Sequence, residues 1–230
     1  MSKLSCIAVA TALICLPSAV LAQEEAGPWT LEGTAGAVSD YRFRGVSLSD
    51  EEPALQAGAT LSHASGFYGD VYLSTIDEYG LDADGDGATV EATLTVGWVG
   101  AWLGLDWDAA VSAYRYPGGT DVDYVEIPVQ ASRTFGASTW TVGAAFAPAQ
   151  DALGDEDNRY VWTGIDHAPE GWPVSLGASV GYEDGAWAPD GKTDWRLGGY
   201  LPLGPVTAGA EWIDSDADEG ALVFSVFLSL

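Results

Sequence analysis

Beyond residue 22 the sequence contains no cysteine, because the two that it has are Cys6 and Cys15. That excludes a disulfide, a thiolate metal site and a thiol nucleophile from the rest of the chain. Base is scarce as well: Lys and Arg together number 8 against 34 Asp and Glu, for a formal charge of -26. Such acidity makes nucleic acid and anionic lipid surfaces poor partners. After the first 22 residues no apolar run is long enough for a membrane helix. The sequence also lacks a glycine-rich phosphate loop, a nucleotide fingerprint and a histidine metal cluster, so no cofactor is expected. Acidic chains can be disordered, but 47% hydrophobic residues with 10 Trp and 10 Tyr supply too much apolar surface for that here.

What is present begins with one cation, Lys3, an apolar run from Ile7 to Leu16, Pro17, and a small-residue stretch ending Val20-Leu21-Ala22. That order is a secretory signal peptide with its cut before Gln23, leaving residues 23–230 as one exported domain. The run is too short to span about 30 Å of hydrocarbon, and no stop-transfer charges follow it. Glutamine at position 23 is not the cysteine a lipoprotein needs, so no lipid anchor is expected by that route.

Period two dominates the remainder. Leu222, Phe224, Val226, Leu228 and Leu230 form an unbroken alternate set, and Val90, Ala92, Leu94, Val96 and Trp98 oppose Glu91, Thr93, Thr95 and Gly97. The same rhythm runs from Leu103, Trp140 and Val174. It predicts about twelve strands, an even number as bacterial single-chain barrels require: 29–44, 54–63, 67–76, 89–98, 102–116, 121–133, 139–147, 158–167, 173–183, 193–201, 206–213 and 220–230. In hydrocarbon every backbone polar group must be paired within the protein, so such a chain has to close its sheet. The expected fold is all-β, a transmembrane antiparallel up-and-down barrel. A soluble secreted β-barrel or sandwich, with the aromatics in its core, is the alternative.

Tight turns are expected at 64–66, 99–101, 136–138, 169–172 and 202–205, on a periplasmic rim with both termini. Longer acidic loops at 47–52, 77–87, 148–157, 184–191 and 214–219 would face outward. Two aromatic girdles are expected: Trp29, Phe67, Trp98, Trp102, Trp140 and Trp172 on one side, and Tyr41, Phe43, Tyr116, Trp187 and Trp212 on the other.

Strand phase also names the lumen. If Trp29, Leu31 and Tyr41 face lipid, then Asp40, Arg42 and Arg44 point inward near the outer mouth. There they could set a transverse field against acids such as Glu91 or Asp106, or form ion pairs that hold the wall together. Asp70, Asp106, Asp108, Glu126 and Glu211 are further inward candidates, with Glu32 and Glu183; Arg196 is the exception in sign. An acidic lumen attracts cations, which predicts weak cation preference for small polar solutes. Asp82, Asp84 and Asp86 resemble the start of an EF-hand calcium loop, but the next acid, Glu91, falls two residues early and no helices flank it. Weak Ca2+ binding there, or bridging to lipopolysaccharide, stands beside a plain solvated loop. An enzyme barrel is disfavoured, because His63 and His167 fall near turns and Asp166 points to the opposite face from its neighbour His167.

The block Val38-Ser39-Asp40-Tyr41-Arg42-Phe43-Arg44-Gly45-Val46-Ser47-Leu48-Ser49, followed by Pro53-Ala54-Leu55-Gln56-Ala57-Gly58 and His63-Ala64-Ser65-Gly66-Phe67-Tyr68-Gly69, resembles the TorF family of porins, whose domain was long labelled Gcw_chp, of unknown function. The motifs cover about residues 36–76; the rest agrees in length, strand rhythm and leader. The resemblance implies an outer-membrane porin, inserted by the barrel-assembly machinery among outer-membrane lipid and lipopolysaccharide, and carries no catalytic residues. One departure is Leu230 where many such proteins end in phenylalanine. A non-conducting structural or adhesion barrel is the competing function.

Overall fold

The computed structural model describes residues 27–230, so the signal peptide expected at 1–22 lies outside the described residues. Its strands are β1 (Trp29–Val38), β2 (Arg42–Phe43), β3 (Val46–Ser47), β4 (Ala54–His63), β5 (Phe67–Tyr79), β6 (Ala88–Trp102), β7 (Leu105–Arg115), β8 (Tyr124–Phe135), β9 (Ser138–Ala147), β10 (Asn158–His167), β11 (Ser175–Gly185), β12 (Ala188–Leu203), β13 (Val206–Ser215) and β14 (Ala221–Ser229). Apart from β2 and β3, which pair only with each other, the strands pair antiparallel in chain order, and β1 pairs with β14 over Thr34–Val38 to close the ring. The result is a closed, twelve-stranded, all-β barrel.

The alternation read in the sequence is the inside and outside of this wall. On β6, Val96 is 69% exposed on the outer surface while Glu91 is 1% exposed within. On β14, Leu222, Phe224, Val226 and Leu228 face out, with Val223, Ser225 and Phe227 turned in. Burial is therefore reversed relative to a water-soluble barrel. Buried positions are rich in polar residues, and the two small apolar clusters, around Tyr114 and Tyr124 and around Tyr41 and Tyr72, sit toward one end.

Several boundaries differ from the expected ones, and three of them have a visible cause. The β6 strand runs through Val99-Gly100-Ala101, and the turn is Leu103-Gly104, both with positive φ, between the paired Trp102 and Leu105. Gly100 is kept in the strand because the Trp98 ring lies where a Cβ would be. The expected loop 184–191 shrinks to Ala186 and Trp187, since the Glu183–Lys192 pair and a bulge before Gly185 extend the β11–β12 ladder. The expected first strand, 29–44, stops at Val38. There Ser39 N–H donates to Phe224 O and the Phe224 amide donates to Ser39 Oγ, which ends the ladder. Residues 39–53 then turn into the barrel.

The girdle on the short-turn rim is as expected, with Trp29, Phe67, Trp98, Trp102, Trp140 and Trp172 all exposed. The opposite girdle is not. Tyr41 and Tyr116 are buried, Phe43 and Trp187 pack against the Tyr114 cluster, and of the expected set only Trp212 faces out. Residues past the last ladder pair are released from strand alternation, so their phase no longer predicts their side. Tyr79, Phe146, Tyr182, Trp195 and Phe224 are exposed toward that rim instead.

The β7–β8 ladder pairs Ala109 with Val129 and Ser112 with Glu126 but is interrupted between them, where Pro128 has no N–H to donate.

Candidate functional site: a segment folded into the lumen

Residues 39–53 form a lumenal segment with the short β2–β3 hairpin at its tip, closed by Leu48 N–H to Tyr41 O. Three of its non-glycine residues, Arg44, Asp50 and Glu51, have φ between +49 and +62. Such backbone persists only where surrounding contacts hold it. At Gly45, with φ +84, a Cβ would sit 2.6 Å from the Ser215 side chain, so only glycine lets the tip approach β13.

Arg44 is the centre of these contacts. Its Nη1 donates to Glu183 on β11 at 2.6 Å and its Nη2 to both oxygens of Glu126 on β8 at 2.7 and 2.8 Å. The guanidinium lies between two rings, 4.2 Å from the Tyr160 centroid and 4.6 Å from that of Phe43. Burial opposes its charge, but Glu126 and Glu183 more than compensate and hold it protonated. Glu183 also accepts from Lys192 at 2.6 Å and from Asn158 at 2.9 Å. Arg42 pairs with Asp40 and donates to the carbonyls of Gly45 and Glu219. Tyr41 OH donates to Glu91 on β6 at 2.9 Å, and burial together with that carboxylate pushes the phenol well above its ordinary range, so it stays a donor.

The expected inward set is thereby divided. Asp40, Arg42 and Arg44 are inside, but on the lumenal segment and not on a strand stripe. Arg44 meets Glu126 and Glu183, whereas Glu91 takes the hydroxyls of Tyr41 and Tyr116 at 2.9 Å and Asp106 lies exposed at the far mouth. The arginines thus pair with Asp40, Glu126 and Glu183 and not with Glu91 or Asp106, and the ion-pair alternative is what the geometry contains. Asp70 accepts from Thr60 at 2.7 Å and Asp108 from Tyr68 at 2.9 Å, both nearer the short-turn rim. Glu211 accepts from Tyr200 OH and lies 3.6 Å from Arg196, which also donates to Ser179. Glu32 sits inside β1, half-buried.

Sequence reasoning missed Tyr41, Tyr160, Lys192 and Asp194 as members of the site. Lys192 and Asp194 share the inward phase of Arg196, four and two residues before it; Lys192 falls between the expected loop, which ends at 191, and the expected strand, which begins at 193. Tyr160 OH donates to Asp194 at 3.1 Å.

Asp82, Asp84 and Asp86 are exposed, and Asp82 uses its carboxylate to accept the amides of Asp84 and Asp86 at 2.8 and 3.1 Å. No grouping of three metal-ligating side chains occurs among the described residues. His63 meets Ser65 Oγ at 2.7 Å and His167 meets Ser138 Oγ at 2.8 Å, while Asp166 lies across from Gly177 on the inner face.

The profile described as a bacterial protein of unknown function (Gcw_chp) matches residues 22–227. The chain belongs to the Gcw_chp family. That bears out the family read from residues 36–76, without the TorF label. No curated protein matches it. Among solved structures, this Gcw_chp chain is similar to a KdgM porin, with a TM-score of 0.58, 7% identity, and coverage of 86% of this chain and 96% of that one. It is also similar to the NanC porin, with a TM-score of 0.53, 8% identity, and coverage of 87% and 98%. At such identities the likeness shows a shared porin-type barrel, and for the Gcw_chp chain it carries the fold alone.

Proposed function

We propose that this Gcw_chp protein is a narrow outer-membrane channel for small polar solutes, as its TorF resemblance implies, with a weak preference for cations. The observation that carries the reading is the reversed burial. Apolar side chains such as Leu94, Val96, Val142 and Leu197 cover the outside, while Glu91, Glu126 and Asp108 are buried within. Lipid outside and water inside is the environment that pattern suits. On this reading the short-turn rim is periplasmic and the long loops are external. Outer-membrane lipid and lipopolysaccharide are the surroundings, and the barrel-assembly machinery inserts the chain.

Cation preference is supported by the inward acids of the short-turn half. Asp70 and Asp108 accept from neutral donors, and Asp106 is exposed. The test is single-channel recording of refolded protein, with reversal potentials in a salt gradient. Small, reproducible steps with a cation-directed reversal are expected; an anion-directed reversal overturns the preference. The segment's buried part, between Asp40 and Ser49, favours a second reading, a non-conducting barrel. That reading holds if no steps appear either in the wild type or in variants whose segment has been released.

A further inference from the structure

We propose that segment 39–53 is a removable gate, pinned in the lumen by Arg44, and not a permanent filling. The proposal deepens the channel reading and rests on it for its consequence, though not for its test. Four buried side-chain atoms are without a hydrogen-bond partner among the described residues: Arg42 Nη2, Arg44 Nε, Asp194 Oδ2 and Ser225 Oγ. Two belong to the segment. Asp194 lies against its tip, with its Cβ 3.0 Å from where a Gly45 Cβ would be, and Ser225 lines with Arg42 a cavity of about 20 Å³. The incomplete pairing of the described interior thus gathers where the segment meets the wall.

The segment is held by aromatic packing, Tyr41 against Tyr72 and Phe43 against Tyr114, and by polar contacts. Arg44 holds Glu126 and Glu183, Tyr41 holds Glu91, and Ser47 N–H donates to Asp218. Buried ion pairs lose in desolvation much of what they gain in attraction, so a contact of this kind is weaker than an apolar seal of the same size. The positive φ of buried Arg44 adds strain that its contacts in the lumen hold. Both ends of the segment, at Val38 and Ala54, leave the wall at the same rim and face each other across the β1–β4 ladder. Withdrawal outward from Asp40 onward leaves every β1–β4 pair and the Ser39–Phe224 bonds in place, and releases the Asp77 amide from Leu48 O. The alternative states differ in whether Glu91, Glu126 and Glu183 face the segment or face water.

The test uses Arg44→Ala and the Glu126→Gln/Glu183→Gln pair in the refolded chain, with heat-modifiable mobility confirming an intact barrel. Because residues 23–230 contain no cysteine, Ser74→Cys is a unique thiol; Ser74 is buried on β5 opposite Glu91, which Tyr41 covers. A charged, bilayer-impermeant methanethiosulfonate should label it slowly in the wild-type background and several-fold faster with Arg44→Ala or with the double glutamine change. Equal labelling rates in intact barrels overturn the gate. Conductance separates the two readings. Faster labelling with several-fold larger steps supports gate and channel together, and faster labelling without steps keeps the gate and defeats the channel. Equal labelling with equal steps defeats the gate and keeps the channel.

Discussion

Toward the long-loop rim, Glu126 and Glu183 meet Arg44 and Lys192 in a fully buried network. Toward the short-turn rim, Asp70 and Asp108 meet the neutral donors Thr60, Tyr68 and Gln130, and Asp106 is exposed. Carboxylates on the same inner face therefore serve two ends. Where the chain brings a cation to it, the acid is an ion-pair anchor; where it does not, hydroxyl and amide donors hold it, as at Asp108, or it lies open, as at Asp106. An inward carboxylate is evidence of lumen chemistry only after its partners are known.

That contrast can be broken at its strongest point first. Arg44→Ala leaves buried Glu126 without a cation and Glu183 with Lys192 alone, and should lower stability by about 3–5 kcal/mol, seen as an earlier urea midpoint in micelles. Gly45→Ala, which forces a Cβ against Ser215 at positive φ, should cost about 1–3 kcal/mol by the same assay. Asp106→Asn, at an exposed acid, should change stability by about 0.5 kcal/mol or less, yet move the reversal potential toward zero. If Asp106→Asn destabilises as much as Arg44→Ala, or Arg44→Ala changes selectivity and nothing else, the two halves do not differ as described.

How much of this could be read beforehand depends on what enforces alternation. In β6, β9, β11 and β14 ladders on both sides hold the strand, so apolar phase and outward direction agree. Beyond Val38 the ladder ends, but Asp40, Arg42 and Arg44 happen to keep the polar phase that an extended strand would show. The pattern placed them inside correctly and on the wrong element. What the pattern could not contain is the long-range choice of partner: Arg44 finds acids on β8 and β11, far away in sequence, in preference to Glu91. Tyr116 and Trp187 fail for the same reason as the hairpin, since they lie past the last enforced pair and turn in to cover it. The lumenal charge was legible only as a sign, an excess of acid, because which carboxylates meet a cation is set by the segment that the strand rule did not foresee.

The lumenal segment also has a mechanical consequence. A single-layered ring of strands has no apolar centre to keep it round, and its β7–β8 seam is already interrupted at Pro128. From one short hairpin, Tyr41 reaches β6, Arg44 reaches β8 and β11, Leu48 takes the amide of Asp77 on β5, and Ser47 reaches the 216–220 loop. These are spokes from a hub, and they stiffen one mouth of the barrel against flattening, while the other mouth is braced by its ladders and by bonds between nearby strands such as Tyr68 to Asp108.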